Sequence, residues 1–427
     1  MRAAILAGGK GTRISDVFSD LPKPMLPILE KPLLEWQIEL LAAQGITDIT
    51  MIVGYKAEII KAYFDNGTAF GVNISYITES EPLGTGGALP MLPREDTLLI
   101  YGDVFFDIDL NRMIAFHRAK NADVTLFAHP NNHPYDSDIF VADANSCIRE
   151  WKSKKDINRG DLRNLVNAGL FIISSNALPS GKVTKLDLEH DIFLPMLVNR
   201  KVFAYRSTEY IKDMGTPERL MLVENNVKNG ITKARNIKNK QRAIFIDRDG
   251  TINELRGFIA SPEQIALLPG AAKAIRMLNS SEFLAICITN QPVVARGMVT
   301  ISKLNDIHAR LDTLLGKEGA YLDDLLYCPH HPDKGYPEEI PEYKIDCDCR
   351  KPKPGLLLEA ARLYNIDLAK SYMVGDSTAD IVAGHVARCK TIGLKTGAAL
   401  MDGKYDITPN LVYDNLNEAV ERILSEG

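Results

Sequence analysis

The chain has no apolar run approaching the ~18 residues that a membrane-spanning helix needs. Its charge does not lean basic either: 50 Lys and Arg stand against 55 Asp and Glu, a formal charge of -5. The first absence argues against a membrane protein, and the second against a chain that holds nucleic acid non-specifically. Any grip on anions must then come from local arrangements. Cysteine is scarce, with six in 427 residues, too few for a secreted disulfide framework in a chain this long. Three of them, Cys328, Cys347 and Cys349, crowd beside His330 and His331, which favours a metal site. Met1 to Ala7 are apolar but run straight into Gly8-Gly9, so no export signal is expected and a cytoplasmic location is. No internal repeat is visible. What is present is ordinary: 45% hydrophobic and 25% charged residues, the usage of a globular protein of two or three domains.

Short apolar runs alternate with longer amphipathic stretches, the pattern of an α/β fold with parallel strands. Strands are expected at Ala3–Leu6, Ile49–Val53, Thr97–Tyr101 and Val124–Phe127. A second series is expected at Ala243–Ile246, Leu284–Ile288, Tyr372–Val374 and Thr391–Leu394. Each ends in Gly, Asp or a polar turn, and ligands of open α/β sheets sit at such carboxyl ends. Between the series, Asn225 to Ile246 holds no carboxylate but six cations, from Lys228 to Arg242. No aromatic interleaves them, so a solvated linker is preferred over a nucleic-acid patch. The expected organisation is a first domain over 1–230, a basic linker over 231–241 and a second domain over 242–427.

The first strand runs into Gly8-Gly9-Lys10-Gly11-Thr12-Arg13. Glycines 8, 9 and 11 let backbone N–H groups approach a phosphate chain, Thr12 adds a hydroxyl, and Arg13 can fork onto phosphate oxygens. In Pro22-Lys23-Pro24 the flanking prolines stiffen the backbone that carries a cation. In order and spacing these segments resemble the nucleoside-diphosphate-sugar pyrophosphorylases, sugar-1-phosphate nucleotidyltransferases with a Rossmann-like core. The resemblance implies a nucleobase loop at Gly84-Thr85-Gly86, Mg²⁺ on Asp103 and Asp213, and sugar contacts from Asn167, Gly169 and Glu189. Lys152 is a looser match to a sugar-phosphate contact. It also implies the reaction: a sugar 1-phosphate attacks the α-phosphate of an NTP. Arg13, Lys23 and the metal would offset the meeting of two anions.

The second series opens with Asp247-Arg248-Asp249-Gly250-Thr251, two carboxylates at a strand exit. Thr289-Asn290 closes the next strand, Cys349-Arg350-Lys351-Pro352-Lys353-Pro354 supplies cations on a stiffened loop, and Gly375-Asp376 closes another strand, with Asp380 four residues on. That order resembles the haloacid-dehalogenase (HAD)-like phosphatases over about residues 240 to 400. By resemblance, Asp247 is the nucleophile that forms an aspartyl-phosphate, and Asp249 is the general acid and base. Thr289 and Asn290 hold the phosphoryl group, Arg350 contacts substrate, Lys351 neutralises charge, and Mg²⁺ sits on Asp247, Asp249 and Asp376. Cys328, His330, Cys347 and Cys349, in C-x-H and C-x-C pairs, suit a closed structural zinc, with His331 as an alternative ligand. This loop resembles the heptose-bisphosphate and histidinol-phosphate phosphatase branch.

The pairing suggests consecutive steps. The 7-phosphate of D-glycero-D-manno-heptose 1,7-bisphosphate would be removed, and the 1-phosphate would then be joined to a nucleotide. Ser15 to Asp20 before Leu21-Pro22-Lys23 also resembles heptose-1-phosphate guanylyltransferases, which makes GTP the expected donor. The rivals are a mannose-1-phosphate guanylyltransferase joined to a histidinol-phosphatase-like domain, and a regulatory protein that senses nucleotide sugar. The expected partners are small-molecule substrates, not nucleic acid or membrane, and a homo-oligomer is left open.

Overall fold

A computed structural model describes residues 1–9, 21–156, 158–335 and 337–426. The chain divides into two compact units. The first is Met1–His129, Phe140–Lys152 and Asn167–Asn236; the second is Pro130–Ile139, Ser153–Val166 and Ile237–Gly427. The strands that place the sites are β1 (Arg2–Ala7), β2 (Asp48–Val53), β3 (Asn73–Thr78), β4 (Thr97–Tyr101), β5 (Val104–Asp107), β6 (Val166–Ile173) and β7 (Tyr210–Asp213). Those that follow are β8 (Arg242–Ile246), β9 (Phe283–Asn290), β10 (Asp324–Cys328), β11 (Tyr372–Gly375), β12 (Lys390–Leu394) and β13 (Leu411–Tyr413).

In the first unit the strand order is β6-β4-β1-β2-β3. β1 pairs in parallel with β2 on one side and β4 on the other, with Ala7 opposite Val53 and Leu6 opposite Tyr101. β2 and β3 are also parallel, Val53 opposite Thr78. The residues that follow these strands, Gly8, Gly54, Glu79 and Asp103, therefore share one edge of the sheet. The chain order reverses about β1, so that edge is a topological switch point.

The second unit has a six-stranded sheet in the order β10-β9-β8-β11-β12-β13, every pairing parallel. A parallel sheet is covered on both faces. Accordingly Ile244 and Ile246 enter one apolar cluster and Ala243 and Phe245 another, as alternation along a strand requires. The order reverses about β8, which puts Asp247 at the second switch point. Two helices matter here. α1 (Ile301–Lys317) is capped by the Thr300 hydroxyl, which accepts from Lys303 N–H. α2 (Thr378–Val386) opens with a Ser377–Asp380 capping box.

The expected strands all form. The basic window opens with a helix at Ile231–Ala234 and is only partly a solvated linker, because Arg235, Asn236 and Ile237 are buried. Lys238 to Lys240 are exposed. The charge spacing gave no hint of that burial. No helix among the described residues is long and apolar enough to cross a membrane.

One buried group predicts a pH response. His308 on α1 is fully buried, and neither ring nitrogen has a hydrogen-bond partner. Burial, helped by the Arg248 charge, holds its pKa well below the ordinary 6.5. The unfolded chain thus takes up a proton below pH 6.5 that the folded chain refuses, so stability falls as pH drops. The slope should approach about 1.4 kcal/mol per pH unit. His308→Leu should flatten this part of the profile, measured by hydrogen exchange of β8 and β9 between pH 7 and 5. An unchanged slope contradicts the assignment.

Candidate active sites

The first site is a cavity of about 720 Å³ lined by Gly8, Gly9, Lys23, Glu79, Gly84, Thr85, Tyr101, Asp103 and Asp187. Lys23 sits on a short helix between Pro22 and Leu26, and its Nζ pairs with Asp103. Asp103 follows β4. β5 and β7 are antiparallel with Val104 opposite Asp213, and Met214 N–H donates to the Asp103 carbonyl at 2.8 Å. The fold thus brings the two aspartates expected to hold metal onto neighbouring strands. Asp213 pairs with Arg219. Each carboxylate already has a cation, which suits a place where cations and phosphates exchange partners.

The structure brings Asn167 and Glu189, both expected as sugar contacts, together: Asn167 Nδ2 donates to Glu189 Oε1 at 3.3 Å, and the Asn167 carbonyl oxygen Oδ1 accepts from Gly169 N–H at 3.1 Å. Tyr101 OH also donates to Glu189. Burial and the Glu189 charge push the Tyr101 hydroxyl far above its ordinary range, so it is a fixed donor. Gly169 has φ +76, and a Cβ there would meet the Tyr101 ring at 2.8 Å. Gly84, also at positive φ, leaves no room for a Cβ against the Leu186 carbonyl, which would lie 2.3 Å away. The small residues of this loop therefore serve packing against 184–188 as well as the cavity. Thr85 is part of that packing, its hydroxyl accepting from Leu188 N–H at 2.8 Å. Lys152 is paired with Glu150 at 2.6 Å and is not among the cavity's lining residues. Lys10, Gly11, Thr12 and Arg13 lie outside the described residues.

Sequence reasoning missed Glu79. It follows β3, lines the cavity, and its buried Oε1 has no hydrogen-bond partner among the described residues. Burial raises its pKa, against a Leu83 N–H that lowers it. A Cβ on Gly8 would come within 2.5 Å of its other oxygen, so the first glycine of the loop makes room for this carboxylate.

The second site centres on Lys351. Its ammonium group reaches Asp247 Oδ1 at 2.7 Å, Asp380 Oδ1 at 2.6 Å and the Ile288 carbonyl at 2.7 Å, which uses all three of its protons. Burial alone would lower its pKa, but Asp247 and Asp380 outweigh that and hold it up. Asp247, Asp376 and Asp380 each offer an oxygen within 4.8 Å of the others'. Burial, then the charge of Asp380, raises both Asp247 and Asp376, the latter to about 7. Three buried carboxylates on one lysine leave net negative charge, and a divalent cation fits that deficit. Gly250, at φ +83, is obligatory here, since a Cβ would fall 2.2 Å from Asp376 Oδ2.

Asp249 is placed differently from the expected metal ligand. Its carboxylate accepts from Arg248 at 2.8–3.2 Å, from Asn253 at 3.0 Å and from Gln291 at 2.9 Å, and it is not in the carboxylate cluster. Asn290 also differs from its expected role. Its amide clasps the Lys351 backbone in both directions, at 2.9 and 3.0 Å, and so positions the lysine. Thr289 closes β9 as expected. Arg350 donates to the His330 carbonyl at 3.1 Å.

Cys328, His330, Cys347 and Cys349 converge, with Cys328–Cys347 at 3.4 Å, Cys347–Cys349 at 3.1 Å and His330 Nδ1–Cys349 at 3.3 Å. His331 faces away from the thiols: its Nδ1 accepts from Asp333 N–H at 3.1 Å. Burial raises the Cys347 thiol, and contact with Cys328 followed by burial raises Cys349. Crowded thiols of this kind are relieved by a shared metal.

Comparison with known proteins assigns a family to each half of the chain. Residues 2–230 match the nucleotidyl transferase family, and residues 348–419 match the HAD-hydrolase-like family. The chain is 41% identical over 167 residues to a D-glycero-β-D-manno-heptose-1,7-bisphosphate 7-phosphatase of Pasteurella multocida, covering 38% of this chain and 88% of that protein. It is 34% identical over 223 residues to a D-glycero-α-D-manno-heptose 1-phosphate guanylyltransferase of Aneurinibacillus thermoaerophilus, covering 51% and 94%. A mannose-1-phosphate guanylyltransferase of Mycobacterium tuberculosis is 33% identical over 225 residues, covering 51% and 61%. The chain belongs to the nucleotidyl transferase family through its first half and to the HAD-like phosphatases through its second, a bifunctional enzyme with transferase and hydrolase activities.

Proposed function

We propose that the two sites act in sequence on one sugar, removing the 7-phosphate of D-glycero-D-manno-heptose 1,7-bisphosphate and then joining the 1-phosphate to GMP from GTP. The observation that carries this reading is the pairing: relatives of the two halves are named for a heptose bisphosphate and for a heptose 1-phosphate. In the second unit a carboxylate oxygen of Asp247 attacks the 7-phosphorus. The bond from phosphorus to the sugar oxygen breaks, and that oxygen takes a proton from Asp249. Water then attacks the aspartyl-phosphate, Asp249 recovers a proton from it, and inorganic phosphate leaves. Lys351 holds Asp247 in place and reduces its repulsion with the dianion. In the first unit an oxygen of the sugar 1-phosphate attacks the α-phosphorus of GTP and pyrophosphate leaves. Lys23 is released from Asp103 toward the phosphates, and Arg13 joins it. Mg²⁺ bound by Asp103 and Asp213, and by Asp247 and Asp376, would supply charge neutralisation at each centre.

The relatives are named for opposite anomers. Phosphatase chemistry at C7 is remote from C1, whereas transfer reacts at the 1-phosphate itself. Consecutive use of both sites therefore lets the first unit set the anomer, and we assign the α form.

Glu79 supports GTP. The Watson–Crick edge of guanine presents two adjacent N–H donors, which one carboxylate can accept together, and adenine presents no such pair. A buried carboxylate oxygen without a partner favours a base that supplies those donors. The heptose phosphates with each of four NTPs, read by mass spectrometry, test the whole reading: GDP-heptose is expected, and a GDP-mannose product from mannose 1-phosphate at equal efficiency would favour the rival. Glu79→Gln should cost GTP about 10- to 100-fold in kcat/KM, the range for losing a charged hydrogen bond, and leave ATP unchanged. Equal loss for both nucleotides would remove Glu79 from base recognition.

Three thiols and an imidazole with donor atoms within 4.8 Å of one another favour zinc over magnesium. Elemental analysis should find tightly held zinc, absent in Cys347→Ser. That variant should lose phosphatase activity, because Cys349 leads directly into Arg350 and Lys351, and retain transfer to a supplied 1-phosphate. Zinc-free protein from a preparation without chelator would contradict the site.

A further inference from the structure

Gln291 stands in neither reaction as derived so far, yet it joins three parts of the second site. It is buried, and its Nε2 donates both to Asp249 Oδ2 and to Thr289 Oγ1, each at 2.9 Å. Its backbone N–H donates to the carbonyl of Cys328 at 2.7 Å, at the end of β10. Asp249 Oδ2 already accepts from Arg248 at 2.8 Å, so the side of the amide presented to it is the NH₂. That choice fixes a second one. Thr289 Oγ1 receives one of the amide protons, which leaves the threonine's own single proton free to point elsewhere.

The other two donors to Asp249, Arg248 and Asn253, come from its own loop. Among the described residues, Gln291 is the one side chain that ties this carboxylate to a different strand exit. We propose that Gln291 is a positioning residue for phosphate-ester hydrolysis: it holds Asp249 at a set distance from Thr289 and turns the Thr289 hydroxyl proton toward the phosphoryl oxygens. This rests on the phosphatase reading of the second unit and on Asp249 as its proton donor.

The role can be separated from simple packing by the leaving group. A sugar alkoxide needs the Asp249 proton as it departs, whereas p-nitrophenolate departs without one. Gln291→Leu keeps the bulk and removes both donated bonds. The single-turnover rate of phosphoryl transfer from the heptose bisphosphate, which precedes the attack of water, should fall by roughly 10²-fold or more, the lower part of the range for losing a positioned acid. The single-turnover release of p-nitrophenolate from p-nitrophenyl phosphate loses only the Thr289 contribution, about tenfold or less, with affinity for either ester changed little. Gln291→Glu, equal in length, sets a carboxylate against Asp249 and should show the same split; it serves if the leucine variant fails to fold. Equal loss on both esters, or full activity on the bisphosphate, overturns the inference while leaving the phosphatase reading intact. Wild-type protein that hydrolyses neither ester overturns the reading and the inference together.

Discussion

The ammonium of Lys351, held between Asp247 and Asp380, is the interaction on which the second half of the molecule depends. Without it three carboxylates would share a dry pocket, and burial plus mutual repulsion would force protons onto them. With it, the Lys351 charge opposes that rise in pKa at Asp247. Several features that look unrelated serve this one contact. Asn290 clasps the lysine's backbone, Ile288 takes its third proton, and the zinc-type loop ends immediately before it. Asp380 is fixed by a helix cap, so one of its oxygens is committed to Ser377 and the other to the lysine.

The first unit solves a similar problem with a similar device. Lys23 rests on Asp103, just as Lys351 rests on Asp247, and both aspartates follow a parallel strand at or beside a reversal of strand order. The two reactions share a physical difficulty, since an anion must approach a phosphate. Parallel sheets offer the carboxyl ends of several strands on one edge, so cations and carboxylates from distant parts of the sequence can be gathered there. The geometry differs where the chemistry does. The first cavity is wide enough for a base and a sugar, while the second is a tight carboxylate cluster with an acid held to one side.

Much of this was legible in the residues. Short apolar runs stopped by Gly or Asp gave the strands, and prolines around Lys23 and Lys351 marked cations held in place. Asp380 drew attention by its place four residues after Asp376, whereas its part in the Ser377 helix cap emerged only in the structure. What could not be read was set by contacts far apart in sequence. Glu79 became interesting only when β3 placed it beside Gly8, and Tyr101 only when it met Glu189, 88 positions away. Asn290 was expected as a substrate contact together with Thr289, but side chains on successive residues point to opposite sides of a strand. Gln291 stood in a Thr-Asn-Gln run shared with the phosphatase branch but carried no sign of its contact with Asp249, and Arg235 lay in a run of cations that gave no sign of burial.

The central claim is an order of events on one sugar: hydrolysis at C7 precedes transfer at C1. The most direct measurement supplies the Asp247→Asn chain with heptose 1,7-bisphosphate and GTP and follows every nucleotide-linked product by mass spectrometry. The account predicts no nucleotide sugar from the bisphosphate and normal GDP-heptose when the 1-phosphate is supplied instead. A GDP-linked heptose that still carries its 7-phosphate would contradict the order, and loss of transfer from the 1-phosphate in a folded variant would contradict the independence of the two sites.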